Sequence, residues 1–180
     1  LNNTSGTNNT AVGDRSLVNI TTGGSNTSVG TISLYSNNGD NNTAFGFASL
    51  FLNNASNNTA VGYEAGYSNT SGIRLTALGY QSLTNSTGDA NTGVGFRSLF
   101  SNTAGVQNTA IGVFAGSNIT TGNGNLLLGY DSQPSSATAS NEISFGSASV
   151  PTGTVVAGVN TSSQYWNVII NGTAYKILLA

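Results

Sequence analysis

The chain carries six carboxylates, Asp14, Asp40, Glu64, Asp89, Asp131 and Glu142. Two of them facing each other across a sugar ring would suffice for glycoside hydrolysis, one donating a proton and the other acting as base or nucleophile. They are scattered singly along the sequence, and the reading that fits is solvated surface charge. Asp40 and Asp89 stand in Asn- and Gly-rich turns, but calcium takes six to eight oxygen ligands and neither turn offers a second carboxylate. There is no Cys, His or Met. Thiolate chemistry, imidazole acid–base chemistry and Cys/His zinc sites are therefore excluded. We expect no catalytic residues, no metal and no cofactor. One row of residues could still bind a ligand. Phe47, Tyr63, Tyr80, Phe96 and Tyr130 each directly follow a glycine. Exposed, such rings could stack on sugars or grip a partner; the alternative, which we favour, is an aromatic ladder packed within or between chains.

That row belongs to a longer pattern. Glycines preceded by an apolar residue fall at Gly13, Gly30, Gly46, Gly62, Gly79, Gly95, Gly112, Gly129 and Gly146, always 16 or 17 residues apart. The pre-glycine residues are Val12, Val29, Phe45, Val61, Leu78, Val94, Ile111, Leu128 and Phe145. Before them runs a column of small residues (Ala11, Ser28, Ala44, Ala60, Ala77, Gly93, Ala110), and before that a Thr column (Thr10 to Thr109). An Asn column comes first: Asn9, Asn26, Asn42, Asn58, Asn91, Asn108 and Asn125, with Leu75 as the exception. Ser or Ala stands three residues after most glycines, and the next position is often Leu: Leu17, Leu34, Leu50, Leu83 and Leu99. Each unit closes in a polar turn such as Asn69-Thr70-Ser71-Gly72.

A unit this short is too small for a helical repeat or a propeller blade and fits one coil of a β-solenoid or β-roll. We expect an all-β parallel solenoid of about nine coils over residues 1–149, with two short strands and two turns per coil. Strand alternation leads us to place the pre-glycine residues Val12, Val29, Phe45, Val61, Leu78, Val94, Ile111 and Leu128 in the core. The bare Ala/Gly face would then face outward and permit close packing of another chain. On that assignment Val61→Asp buries an unpaired charge and collapses the fold. Stacked coils bring Asn26, Asn42, Asn58, Asn91 and Asn108 into a hydrogen-bonded ladder. The unit ending at Gly146 reads as one residue longer between its Asn141 and its glycine. Residues 150–180 read differently: Tyr165–Ile170 and Thr173–Leu179 as strands about an Asn171-Gly172 hairpin turn, predicted to cap the solenoid.

Composition narrows the function classes. Charged residues make up 6% of the chain and net charge is −2. Arg15, Arg74, Arg97 and Lys176 do not cluster, which speaks against nucleic-acid binding. No apolar stretch is long enough to span a membrane as a helix. The Thr column lacks the second Thr row of a flat ice-binding face. Asn-x-Ser/Thr strings such as Asn26-Thr27-Ser28 and Asn118-Ile119-Thr120 follow from composition and signal glycosylation only on a eukaryotic secretory route. Leu1 in place of an initiator methionine, with no leader-like opening, leads us to expect a processed product or a fragment.

The recurring Asn-Thr-Ala-(Val/Ile)-Gly-x-x-(Ser/Ala)-Leu string resembles the head repeats of trimeric autotransporter adhesins. It resembles even more the Asn-Thr-Ala-Ile-Gly repeats of phage and large-virus fibre proteins. Tyr165 to Ile177 is similar to the ends of such fibres. The resemblance covers residues 9 to 149 and implies a left-handed β-roll, three chains side by side, displayed on a virion or cell surface for attachment. These units are longer than the adhesin ones, and no stretch of these 180 residues resembles the adhesins' charged neck, stalk or membrane anchor. From residues and resemblance together we expect a non-enzymatic, extracellular or virion-surface fibre segment. Its partners would be copies of itself and a cell-surface glycan or receptor. The alternatives are a self-assembling filament subunit and a tail-spike polysaccharide depolymerase.

Overall fold

A computed structural model describes residues 2–147 throughout, together with the strand backbones Tyr165–Ile170 and Thr173–Leu178. The chain divides into two units, Leu1–Val150 and Pro151–Ala180. The first is a parallel β-solenoid of about eight turns. Its strands are β1 (Thr10–Val12), β2 (Thr27–Val29), β3 (Thr43–Phe45), β4 (Thr59–Val61), β5 (Thr76–Leu78), β6 (Thr92–Val94), β7 (Thr109–Ile111), β8 (Leu126–Leu128) and β9 (Ile143–Phe145). They form one sheet in chain order. Register is kept column by column: Thr27 on Thr43, Ala44 on Ala60, Phe45 on Val61. The second unit contains the antiparallel pair β10 (Tyr165–Ile170) and β11 (Thr173–Leu178), as expected. The Asn171-Gly172 turn and the capping contact of the only Trp lie outside the described residues.

Each coil holds one three-residue strand rather than two. The opposite side of the coil is a return arm, tied to the next coil by hydrogen bonds such as the Leu34 N–H to the Ser49 carbonyl and the Leu50 N–H to the Ala65 carbonyl. The arm is bent by left-handed residues two and four positions after the glycine, for example Glu64 (φ 51°) and Leu83 (φ 52°). Such a backbone costs a non-glycine residue about 1–2 kcal/mol. Burying a leucine gains about 1.5–3 kcal/mol, so the strained Leu column is still favourable. Leu17, Leu34, Leu50, Leu83 and Leu99 are all buried.

The expected interior is therefore inverted. Val12, Phe45, Val61 and Ile111 are exposed, and Val29, Leu78, Val94 and Leu128 are half-buried; none lies in the core. The inward strand face is the small-residue column: Ala44, Ala60, Ala77 and Ala110 are fully buried. The reason is room. A Cβ on Gly93 would stand 2.7 Å from Ser82 Oγ and 3.1 Å from Leu83 Cγ. The return arm's leucines already fill the space between the two walls, so the strand wall takes nothing larger than Ala or Ser in most coils. Val61 faces outward, and Val61→Asp buries no charge in the single chain.

The glycine column is structural for two reasons at once. Gly46 has φ 133° and Gly62 φ 139°, a backbone that L side chains rarely adopt. A Cβ on Gly62 would also lie 2.4 Å from the Gly79 carbonyl oxygen of the next coil.

The Asn ladder is present and buried, but it works through the backbone. Asn42 Oδ1 accepts the N–H of Asn58 (3.0 Å), and Asn42 Nδ2 donates to the Ala55 carbonyl (2.9 Å). Asn26, Asn91, Asn108 and Asn125 donate likewise to the carbonyls of Gly39, Gly105, Gly122 and Ala139. Glu142, not Asn141, occupies the column in the last coil, its N–H donating to Asn125 Oδ1 (2.9 Å). With Ile143 opposite Leu126, that unit carries no extra residue. A second buried column, unforeseen, stands seven residues after the glycines: Asn37, Asn53, Asn69, Ser86 and Asn102. Asn53 Nδ2 donates to Asn37 Oδ1 (2.9 Å), and Asn69 Nδ2 to Asn53 Oδ1 (2.8 Å). Among the described residues no buried side-chain polar atom lacks a partner, so this polar core avoids the penalty of about 1–3 kcal/mol per orphaned group.

Candidate functional site: outward columns of the solenoid

Because like residues stack, every outward position becomes a column along the solenoid. The post-glycine column is an aromatic stack. Ring centroids are 5.1 Å apart from Phe47 to Tyr63, 5.1 Å from Tyr63 to Tyr80 and 5.2 Å from Tyr80 to Phe96, with planes within 12° of parallel. Val113 follows in the next coil, and Tyr130 stands beyond it. The sequence row is thus four stacked rings and one separate ring. Stacking covers the ring faces and leaves edges and phenol hydroxyls at the surface, so the four rings offer a rim rather than flat platforms for sugars. A second stack, unforeseen, stands five residues after the glycine: Tyr35 on Phe51 at 5.0 Å and Phe51 on Tyr67 at 4.9 Å.

Between these two aromatic columns runs the position two residues after the glycine. Its left-handed backbone places it at the tip of the coil, half-buried at Glu64, Gln81, Arg97 and Phe114 and fully buried at Ala48. Here Gln81 Nε2 donates to Glu64 Oε2 (2.7 Å), and Arg97 Nε donates to Gln81 Oε1 (2.8 Å). The Arg97 guanidinium carbon lies 5.4 Å from the Phe96 ring centre and 5.0 Å from that of Phe100. A hydrogen bond from the Tyr63 hydroxyl to the Glu64 carboxylate, then burial and the nearby negative charge, raise the Tyr63 pKa above the ordinary phenol range. This column continues as Ala48 below Glu64 and Phe114 above Arg97; Phe114 meets Phe96 edge-to-face at 5.2 Å.

The sheet face carries the other outward columns. The pre-glycine hydrophobes alternate with the Thr column there, from Val12 at 55% exposed to Phe145 at 64%. Stacking at about 4.8 Å per coil makes this one apolar stripe about 38 Å long over eight steps.

The carboxylates are not brought together. Asp40 Oδ1 accepts the Gly24 N–H (2.7 Å), and Asp89 Oδ1 the Ile73 N–H (3.0 Å), each joining its turn to the preceding coil. Asp131 accepts from Gln133 (2.9 Å). Glu142 accepts both the Ser135 N–H (2.6 Å) and the Ser135 hydroxyl, which hold its pKa below the ordinary carboxylate range. Among the described residues no three potential metal ligands cluster, and no helix is long and apolar enough to cross a membrane. Asn26 is fully buried with its Nδ2 bonded to Gly39, so that sequon offers no glycan acceptor in the folded chain. Comparison of the chain with protein families, with curated proteins and with solved structures returned no match.

Proposed function

We propose that the chain is a non-enzymatic structural segment of an extracellular or virion-surface fibre, in which three copies pack side by side through the pre-glycine stripe. The observation that supports this most strongly is the stripe itself. Val12, Phe45, Val61, Ile111 and Phe145 are outward and exposed, in register, on a continuous sheet face. A contiguous apolar surface of this length on a chain with so little charge calls for a cover. A second and third copy fit, because a straight, repeating stripe matches itself coil for coil. The in-register backbone ladder then supplies stiffness, and any receptor binding gains from multiple copies. The terminal hairpin would cap such an assembly.

The test is particle mass in solution by sedimentation equilibrium. The expected mass is three times that of one chain, and a single-chain mass overturns the reading. Val61→Asp distinguishes surface from core. The expected result is loss of the trimer with the circular dichroism of the solenoid retained; collapse of the fold would restore Val61 to the interior.

A further inference from the structure

The central coil tips carry a charge pattern that is its own complement. Along the column two residues after the glycine, between Ala48 and Phe114, successive coils present Glu64, Gln81 and Arg97. We propose that this tip face pairs with the tip face of a second copy of the chain running in the opposite direction, about a two-fold axis through Gln81.

Two features carry the inference. The first is charge. With Gln81 opposite Gln81, one coil below the axis meets one coil above it, so Glu64 of each copy faces Arg97 of the other. Both charges are half-buried and held in place: Gln81 takes Arg97 Nε and gives its amide to Glu64 Oε2. The bond to Gln81 uses only Nε of Arg97, so the partner's carboxylate would meet the guanidinium Nη groups. The second is the flanks. A two-fold axis perpendicular to the solenoid keeps each flanking column opposite itself, so Tyr63 faces Phe96 and Tyr67 faces Phe100, as aromatic-rich interface cores require.

The parallel arrangement fails on the same residues. It would set Glu64 on Glu64, Arg97 on Arg97 and Phe114 on Phe114, opposing like charges and bulk. The tip contact uses none of the pre-glycine residues. It therefore does not depend on the trimer, and in a trimer it would join neighbouring fibres laterally in opposite directions.

The experiment isolates it. In the full chain carrying Val61→Asp, which blocks the sheet-face contact, sedimentation equilibrium at millimolar chain concentration and low salt is expected to show a two-chain particle. Adding Arg97→Glu replaces two attractions by two repulsions and should weaken association at least about tenfold. The charge exchange Glu64→Arg with Arg97→Glu should restore it. Equal association in all three chains, or an exchange that fails to restore pairing, overturns the proposal. Survival of a three-chain particle in the Val61→Asp chain would count against the sheet-face trimer alone, since the Arg97→Glu comparison still reads the tip contact.

Discussion

Most coils fill their interior one way and two fill it another. At Leu17, Leu34, Leu50, Leu83 and Leu99 the inward bulk comes from the return arm, four residues after the glycine. In the coils of Gly62 and Gly112 that place is taken by Gly66 and Gly116, both at φ 62°. The missing leucine reappears elsewhere. Leu75 takes the Asn column in the coil after Gly66, and Leu127 takes the Ala column in the coil after Gly116. Both reach back into the vacated space: a Cβ on Gly66 would lie 3.3 Å from Leu75 Cδ2, and one on Gly116 2.8 Å from Leu127 Cδ1. The conserved quantity along the solenoid is filled volume, not the position that fills it, as close-packed interiors demand. Leu75, an unexplained break in the Asn column when the sequence is read alone, is the partner of a glycine nine residues earlier.

Breaking that partnership gives the largest expected effect in this comparison. Leu75→Asn returns the Asn column to its usual residue but empties the space beside Gly66. A loss of about 2–4 kcal/mol is expected from the cavity, read by urea unfolding followed by circular dichroism. Gly66→Leu alone should cost somewhat less. The new side chain meets Leu50 Cδ2 at 2.9 Å and Leu75 behind it, and overpacking typically costs about 1–3 kcal/mol. The double variant rebuilds an ordinary coil: leucine in the return arm, and an Asn whose Oδ1 can accept from the Asn91 backbone, which Leu75 cannot. It should lie near the parent in stability, so the coupling between the two sites is the sum of the two single losses, about 3–7 kcal/mol. A double variant that loses the sum of the two single losses would show that the coils do not trade volume in this way.

The same contrast shows what was legible in the residues. The repeat, the parallel register, the glycine column and the buried Asn26–Asn42–Asn58 ladder followed from spacing, because stacked coils must superpose like on like. The direction of the strand did not. Alternation puts Ala60 and Val61 on opposite faces but does not say which face is inside. Hydrophobicity favoured Val61, whereas the deciding fact is the room left by Leu50 and Leu83 on the opposite wall, which strand periodicity cannot reveal. The columns at Asn37–Asn53–Asn69 and Tyr35–Phe51–Tyr67 were missed for a simpler reason. The extra residue of the 17-residue units falls between these columns and the next Asn, as in Asn102 to Asn108 against Asn37 to Asn42. Counted back from the Asn they slip by one; counted forward from the glycine they align. The Glu64–Gln81–Arg97 run lies in a column of varied residues, and only the left-handed backbone shows that it shares one tip.

The smallest effect belongs at the end of the Asn column, where Glu142 replaces the amide. Its backbone N–H continues the ladder onto Asn125 as an Asn would, but its carboxylate turns to Ser135 instead of a carbonyl of the next coil. The Ser135 hydroxyl, then its N–H, stabilise the ionised form, so the folded pKa lies below the unfolded one. By linkage the contribution is present above the ordinary glutamate pKa and is lost as pH falls through the lowered value. Amide exchange at Ser135 should therefore be slow at neutral pH and accelerate in acid beyond the intrinsic pH dependence. In Glu142→Gln the acid-dependent step should vanish while the Glu142-position amide, still bonded to Asn125, stays protected. An identical acid response in both chains would mean that the carboxylate does not hold the 135–142 turn and that the last coil is closed by the backbone ladder alone.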